Sequence, residues 1–378
     1  MEPTLKLLRE LVALPSVNPA FLPEGDSRAG EQRVAEFLAA TGAHQGLDVH
    51  LQPVAPGRNN VWLRLTPSGA VRLRVLLASH LDTVGSEAIS ERLFQPRIAQ
   101  GRLYGRGACD DKGCVAAMLT ALMAVASSAT RPQHTEVTFI GLVDEENAQA
   151  GSRAVAALKE RADLAIVGEP TRLRVVTTHK GNLWLRLEAR GRAAHGSRPE
   201  LGRNAILKMA RVVEILETEY AARLGQRHHP LLRPPTINVG TIAGGVQPNV
   251  VPAGCAITID RRTLPGERDA AVCAEITGLL RARKLAVRLT NTKTSVCLPM
   301  ETDARLPLVR QLMAEAGQKQ PVGVDFFCDA SVLSHGGIPS VVFGPGDIAQ
   351  AHTAQEWISL TSLARATGIL SRFLQSLP

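Results

Sequence analysis

The sequence predicts an α/β protein: a mostly parallel sheet covered by helices, interrupted by an inserted domain of ferredoxin-like βαββαβ order. Three observations lead there. Short continuous apolar runs alternate with helical periodicity toward both ends of the chain, as expected for strands buried on both faces. Between about residues 174 and 290 the pattern changes to alternating strands and two helices in the order β-α-β-β-α-β. The chain has 378 residues, 45% apolar and 21% charged, enough for about two domains with cores of their own.

Residues 3–14 and 29–41 space their apolar side chains by three and four, as helices do. Residues 72–81 read as a strand around Val75-Leu76-Leu77-Ala78 that ends in His80-Leu81-Asp82. Residues 112–128 read as a buried helix. A second strand over 136–143 ends in Asp144-Glu145-Glu146, and a third, Leu164–Val167, runs into Gly168-Glu169-Pro170. A fourth, over 340–343, precedes Gly344-Pro345-Gly346. In the inserted region, 182–189 alternates with Leu183, Leu185 and Leu187 on one face. A helix over 203–222, paired strands over 236–242 and 256–260, a helix over 267–283 and a strand over 286–289 complete it. The expected domains are therefore 1–173 with 291–378, and 174–290.

The net charge is +8, but the arginines are scattered and form no basic block. With aromatic residues at only 3%, a nucleic-acid binder built on stacking platforms is excluded. A field of one sign can instead gather an anionic substrate into a cleft. None of the six cysteines lies in C-x-x-C or at zinc-finger spacing, so reduced thiols are expected. Glu2, Lys6, Arg9 and Glu10 leave no signal-peptide core, and the uncharged stretch 114–130 is too short to span a membrane. The expectation is a cytoplasmic protein with neither a nucleic acid nor a membrane as partner.

The chemistry gathers at the strand ends. His80, Glu145–Glu146 and Glu169 each follow a strand directly, and His352 follows the fourth by a short loop. In an open α/β sheet, ligands collect at the carboxyl ends of the strands. Asp110 lies in the glycine-rich loop 105–113, just before a helix. Acids placed together repel one another, and a pair of divalent cations would offset that repulsion. His80 and His352 with three carboxylates, from Asp110, Glu169 and the Glu145–Glu146 pair, form a credible set for two metals bridged by one carboxylate. Lys112 reads as a surface charge. Other chemistries fail: there is no phosphate-cradling G-x-x-x-x-G-K-[ST], no dinucleotide glycine triplet and no G-x-S-x-G serine elbow.

The strings SHLDTV (79–84), GRGACDDKG (105–113), DEE (144–146), VGEP (167–170), AAHGSRPELGRNAI (193–206) and GPGDIAQAHTAQEW (344–357) resemble the acetylornithine deacetylase / succinyl-diaminopimelate desuccinylase family of metallohydrolases. The resemblance implies a zinc-hydrolase domain with an inserted dimerisation lid, and two divalent ions, zinc with cobalt or manganese as alternatives. It implies that His80, Asp110 and Glu169 hold one ion and Asp110, Glu146 and His352 the other. It implies Glu145 as general base and Asp82 as the group orienting His80, with a cis bond between Asp110 and Asp111. It implies that His195 reaches the site of a partner subunit in a homodimer, and that Asn249 and Arg262 hold the substrate carboxylate. Asp329 falls where specificity is set, a place where acetylornithine deacetylases tend to carry Glu, and is expected to meet the substrate. The implied substrate is an N-acyl amino acid or small peptide. Desuccinylase, dipeptidase and carboxypeptidase activities are the enzymatic alternatives, and a non-catalytic metal- or anion-binding protein is the alternative of another class.

Overall fold

The computed structural model describes residues 2–85, 90–158, 161–293 and 295–378. They fall into two compact units. The first comprises Met1–Thr177, Thr302–Val322 and Cys328–Pro378, and the second Thr178–Glu301 and Gly323–Phe327. The inserted unit thus begins and ends later than positions 174 and 290, and it includes a short return of chain. Two-residue pairings set these limits. Met300 and Glu301 pair with His179 and Thr178, and Lys180 holds Asp325 at 2.9 Å. Ladders this short leave no periodicity in a sequence.

The sheet of the first unit runs in the spatial order Asp48–Ala55, Arg58–Leu65, Thr135–Leu142, Leu73–His80, Leu164–Val167, Ser340–Val342. Leu73–His80 is parallel to both of its neighbours, and Ser340–Val342 is parallel to Leu164–Val167. Every residue from Val75 to His80 is buried, so the strand shows a continuous apolar run instead of alternation. At one edge the sheet turns antiparallel through the hairpin Asp48–Ala55/Arg58–Leu65, which the pattern of the sequence did not predict. The helix Lys112–Ala126 has buried residues on almost every side and packs with Pro3–Val12 and Leu360–Gln375. Leu8, Leu11, Leu77, Leu119, Phe139 and Phe373 lie in this core. Each such side chain contributes about 1.5–3 kcal/mol by leaving water.

The second unit has a four-stranded antiparallel sheet in the order Thr236–Gly244, Gly254–Thr263, Gly181–Arg190, Arg288–Asn291. With the helices Ala205–Ile215 and Asp269–Ala282 between strands, this is the ferredoxin-like arrangement. Leu183, Leu185, Leu187, Ile257 and Ile259 meet Met209, Val212, Ile276 and Leu280 from the helices. Asn204 caps the first helix by accepting from the Leu207 amide at 3.0 Å. No helix among the described residues is long and apolar enough to cross a membrane.

Candidate metal centre

The parallel strands of the first unit deliver their terminal residues to one edge of the sheet. Leu73–His80 ends on His80, Thr135–Leu142 leads to Glu145 and Glu146, and Leu164–Val167 leads to Glu169. The loop after Ser340–Val342 brings His352, and the loop before Lys112–Ala126 brings Asp110. Ligand atoms of His80, Asp110 and Glu169 all lie within 4.8 Å of one another, as do those of Asp110, Glu146 and His352. Asp110 joins the two groups. Its Oδ1 is 3.0 Å from His80 Nε2, and its Oδ2 is 3.2 Å from His352 Nε2. His352 Nε2 is also 3.2 Å from Glu146 Oε1. The Asp110–Asp111 peptide bond is cis.

The electrostatics of the cluster fit a cationic occupant. Burial pushes the Glu169 carboxyl well above its ordinary range, and Asp110 and Glu145 push it further. Glu146 is raised by burial and by Asp110, against the pull of its His352 hydrogen bond. Burial would raise Asp110 too, but hydrogen bonds from His352 and His80 outweigh it and hold this carboxyl low. His352 is pushed up to about 10 by its hydrogen bonds to Asp110 and Glu146. Imidazole and carboxylate donors at these separations suit divalent metal ions. His80 keeps Nε2 toward Asp110 because Nδ1 is engaged by the Asp82 backbone carbonyl at 3.0 Å, with Asp82 Oδ1 at 3.5 Å.

Several supporting residues carry no recognisable signal in the sequence. Glu356 is buried and accepts from Arg106 Nη1 at 2.8 Å and from the amides of Gly107, Cys109 and Asp110 at 3.0, 2.8 and 3.0 Å. It therefore fixes the loop that presents Asp110. Only its place in the string AQEW could have marked it. Asp111 takes a hydrogen bond from Ser79 and is raised by burial to about 7. Gly168 permits this approach, since a Cβ there would lie 2.7 Å from Asp111 Oδ2. Lys112 is a correction to the sequence reading. It is fully buried, not a surface charge, and donates to the Leu14 carbonyl at 2.6 Å. Burial brings its amine down to about 7.

Glu145 belongs to neither ligand group. Burial raises its carboxyl well above the usual range, and Asp329, Glu146 and Asp82 add to this while His80 opposes it. Asp329 is buried. One of its oxygens accepts from Ser152 Oγ at 2.5 Å and the other has no hydrogen-bond partner among the described residues, and burial lifts the group to about 7. His195, Asn249 and Arg262 lie in the second unit. His195 is exposed, with Nδ1 2.7 Å from Ser197 Oγ. The Gly196 amide donates to the Asn249 carbonyl at 2.7 Å, so the His195 and Asn249 loops lie side by side. Arg262 pairs with Asp260 at 2.9 Å.

Residues 76–376 match the model of Peptidase family M20/M25/M40. The chain is similar to acetylornithine deacetylase of Myxococcus xanthus, 33% identical over 315 residues, covering 81% of this chain and 80% of the relative. Among solved structures it is similar to a tripeptidase from Staphylococcus aureus, with TM-score 0.81, 22% identity and coverage of 99% and 97% of the two chains. It is also similar to a dinuclear metal binding peptidase of the M20 family from Bacillus subtilis, with TM-score 0.69, 13% identity and coverage of 98% and 96%. The chain belongs to peptidase family M20/M25/M40, and its activity is metal-dependent hydrolysis of an amide bond.

Proposed function

We propose that this chain is a two-metal deacylase of small N-acyl amino acids, acting in the manner of acetylornithine deacetylase. The observation that carries the reading is Asp110, whose two oxygens face His80 and His352 at 3.0 and 3.2 Å. The kinship to the Myxococcus xanthus enzyme favours a deacetylase. His80 and Glu169 would hold one ion, Glu146 and His352 the other, and Asp110 both. When bound, the ions supply Lewis-acid polarisation of the scissile carbonyl and acidify a water for attack at neutral pH. Glu145 accepts the proton from the attacking water and delivers it to the amide nitrogen as the carbon–nitrogen bond breaks. Asp82 orients His80. Arg262 and Asn249 hold the substrate carboxylate, for which the planar guanidinium fork is suited. Asp329 lines the specificity side of the site.

A screen of N-acetylornithine, N-succinyl-diaminopimelate and dipeptides, with zinc or cobalt returned to chelated protein, tests this. The expected result is preferential hydrolysis of the acetylated amino acid, abolished by chelation. Preferential cleavage of dipeptides would move the assignment to a peptidase.

Homodimerisation through the second unit is part of the same reading. Among the described residues the edge strand Thr236–Gly244 has one unpaired side, and Ile206, Leu207, Ile242 and Val246 are exposed apolar side chains of that unit. A dimer joined there would place His195 to stabilise the oxyanion in the second copy. Sedimentation should give a dimer, and Ile242→Asp with Val246→Asp should give a monomer with low kcat. An active wild-type monomer would remove this role from His195. None of the six cysteines forms a disulfide among the described residues, in keeping with a reducing compartment such as the cytoplasm.

A further inference from the structure

We propose that Asn18 is a positioning residue for the proposed base: its amide ties Asp82, the carboxylate that accepts from the Glu145 and Glu146 amides, to the carboxylate of Asp144 in the same turn. The inference rests on the reading of Glu145 as base.

Three successive amides of this turn each donate to a buried carboxylate. Asp144 N reaches Glu31 Oε1, Glu145 N reaches Asp82 Oδ1 and Glu146 N reaches Asp82 Oδ2, all at 3.1 Å. The turn needs such support, because Asp144 has φ +72°, a left-handed conformation that a non-glycine residue adopts at a cost. Asp82 and Asp144 are both buried acids, and Asn18 stands between them. Its Nδ2 donates to Asp82 Oδ2 at 2.8 Å and to Asp144 Oδ1 at 2.9 Å. Its Oδ1 accepts from the Ala20 amide at 3.0 Å, which fixes the orientation of the side-chain amide. The Asn18 backbone is anchored beside the metal ligands, with its N–H donating to the Thr83 carbonyl at 2.9 Å. On the far side, Arg58 donates to Asp144 Oδ1 at 3.0 Å and to Glu31 through Nε at 2.8 Å.

The chemistry of the position selects asparagine. It needs two donors aimed at two acids and one acceptor aimed at a backbone amide, all from a side chain fully buried between them. Aspartate would face two carboxylates with a third. Serine could serve only one of them, and glutamine reaches too far. Losing the bridge leaves Asp82 and Asp144 to repel one another, and the amides of Glu145 and Glu146 move with them.

The test combines hydrogen exchange with kinetics on full-length Asn18→Ser and Asn18→Asp. Exchange at the Glu145 and Glu146 amides should rise about tenfold or more, with and without added zinc, while the Leu73–His80 strand stays protected. The kcat of Asn18→Ser should fall about 10–100-fold with KM within about threefold, as for groups that orient a metal site from behind, and Asn18→Asp should lose more. Unchanged exchange at the two amides in Asn18→Ser overturns the proposal whatever the activity, and so does unchanged kcat. A uniform rise in exchange across the sheet also overturns it, because it marks a general structural role. Should Asn18→Asp not fold, Asn18→Ser decides alone, since it retains a capping oxygen and one donor. If the wild-type protein hydrolyses no amide, the proposed function fails while the exchange result still reads the bridge.

Discussion

Asp110→Ala is expected to abolish turnover and to release both metal ions. Every other proposed ligand belongs to one group of three, and Asp110 belongs to both. Its removal takes a charged donor from each ion. The imidazoles of His80 and His352 lose the partner that faces them at 3.0 and 3.2 Å. Glu146 and Glu169 lose a neighbouring acid that helps to raise them, but neither reaches into both groups, so nothing replaces the shared donor. The fold should survive, since Glu356 still grips the loop through Arg106 and the amides of Gly107 and Cys109. Glu169→Ala is the internal comparison: it touches one group only and should weaken one ion's binding more than the other's. Equilibrium dialysis against zinc with elemental analysis reads the stoichiometry, and circular dichroism reads the fold. An Asp110→Ala protein that keeps two ions per chain and turnover within about tenfold of wild type would sink the bridging role.

The fold and the gathering of candidate ligands at its strand ends are legible for one reason, and the rest is hidden for another. Strands buried on both faces write continuous apolar runs, so Val75–Ala78 and Leu164–Val167 could be read with the polar residues that end them. The two units could be separated because the inserted sheet buries one face only, and Leu183, Leu185 and Leu187 alternate with outward side chains. The hairpin at the sheet edge escaped because Asp48–Leu51 is exposed throughout and a bulge between Pro53 and Ala55 breaks its register. The burial of Lys112 leaves no sign in the sequence, because charge alone says nothing of the Leu14 carbonyl that receives it in the interior. Asn18, Glu31, Arg58 and Glu356 act through partners far away along the chain: Asn18 lies 64 residues from Asp82 and 126 from Asp144, and Glu356 lies 250 from Arg106. A polar residue whose meaning lies in such a partner has no local pattern. Candidate ligands can be read from the strands that carry them, whereas the groups that hold them in place become visible only once the chain is folded.

Glu145→Gln is expected to lower kcat by about 10²–10⁴-fold, the usual contribution of a general base, with the metal content unchanged. The separation of the two effects follows from position. Glu145 lies outside both ligand groups, so its carboxylate is not needed to hold an ion. Its backbone amide donates to Asp82 Oδ1, a contact that glutamine keeps, so the turn and its neighbour Glu146 stay in place. The carboxyl is raised well above the usual glutamate range by burial and by Asp329, Glu146 and Asp82, which makes it a stronger proton acceptor than an exposed glutamate once it is ionised. Glutamine matches the volume and the hydrogen-bonding reach but cannot take a proton, so substrate binding should survive and KM should stay within a few-fold. Glu145→Asp keeps the acid but withdraws it by one methylene from the reacting atoms, and misplacement of about 1 Å can itself cost about 10²-fold. The expected order of kcat is therefore wild type, then Glu145→Asp, then Glu145→Gln, at constant zinc content. Full turnover in Glu145→Gln would take the proton-transfer role from Glu145 and leave its burial among acids without a catalytic reason.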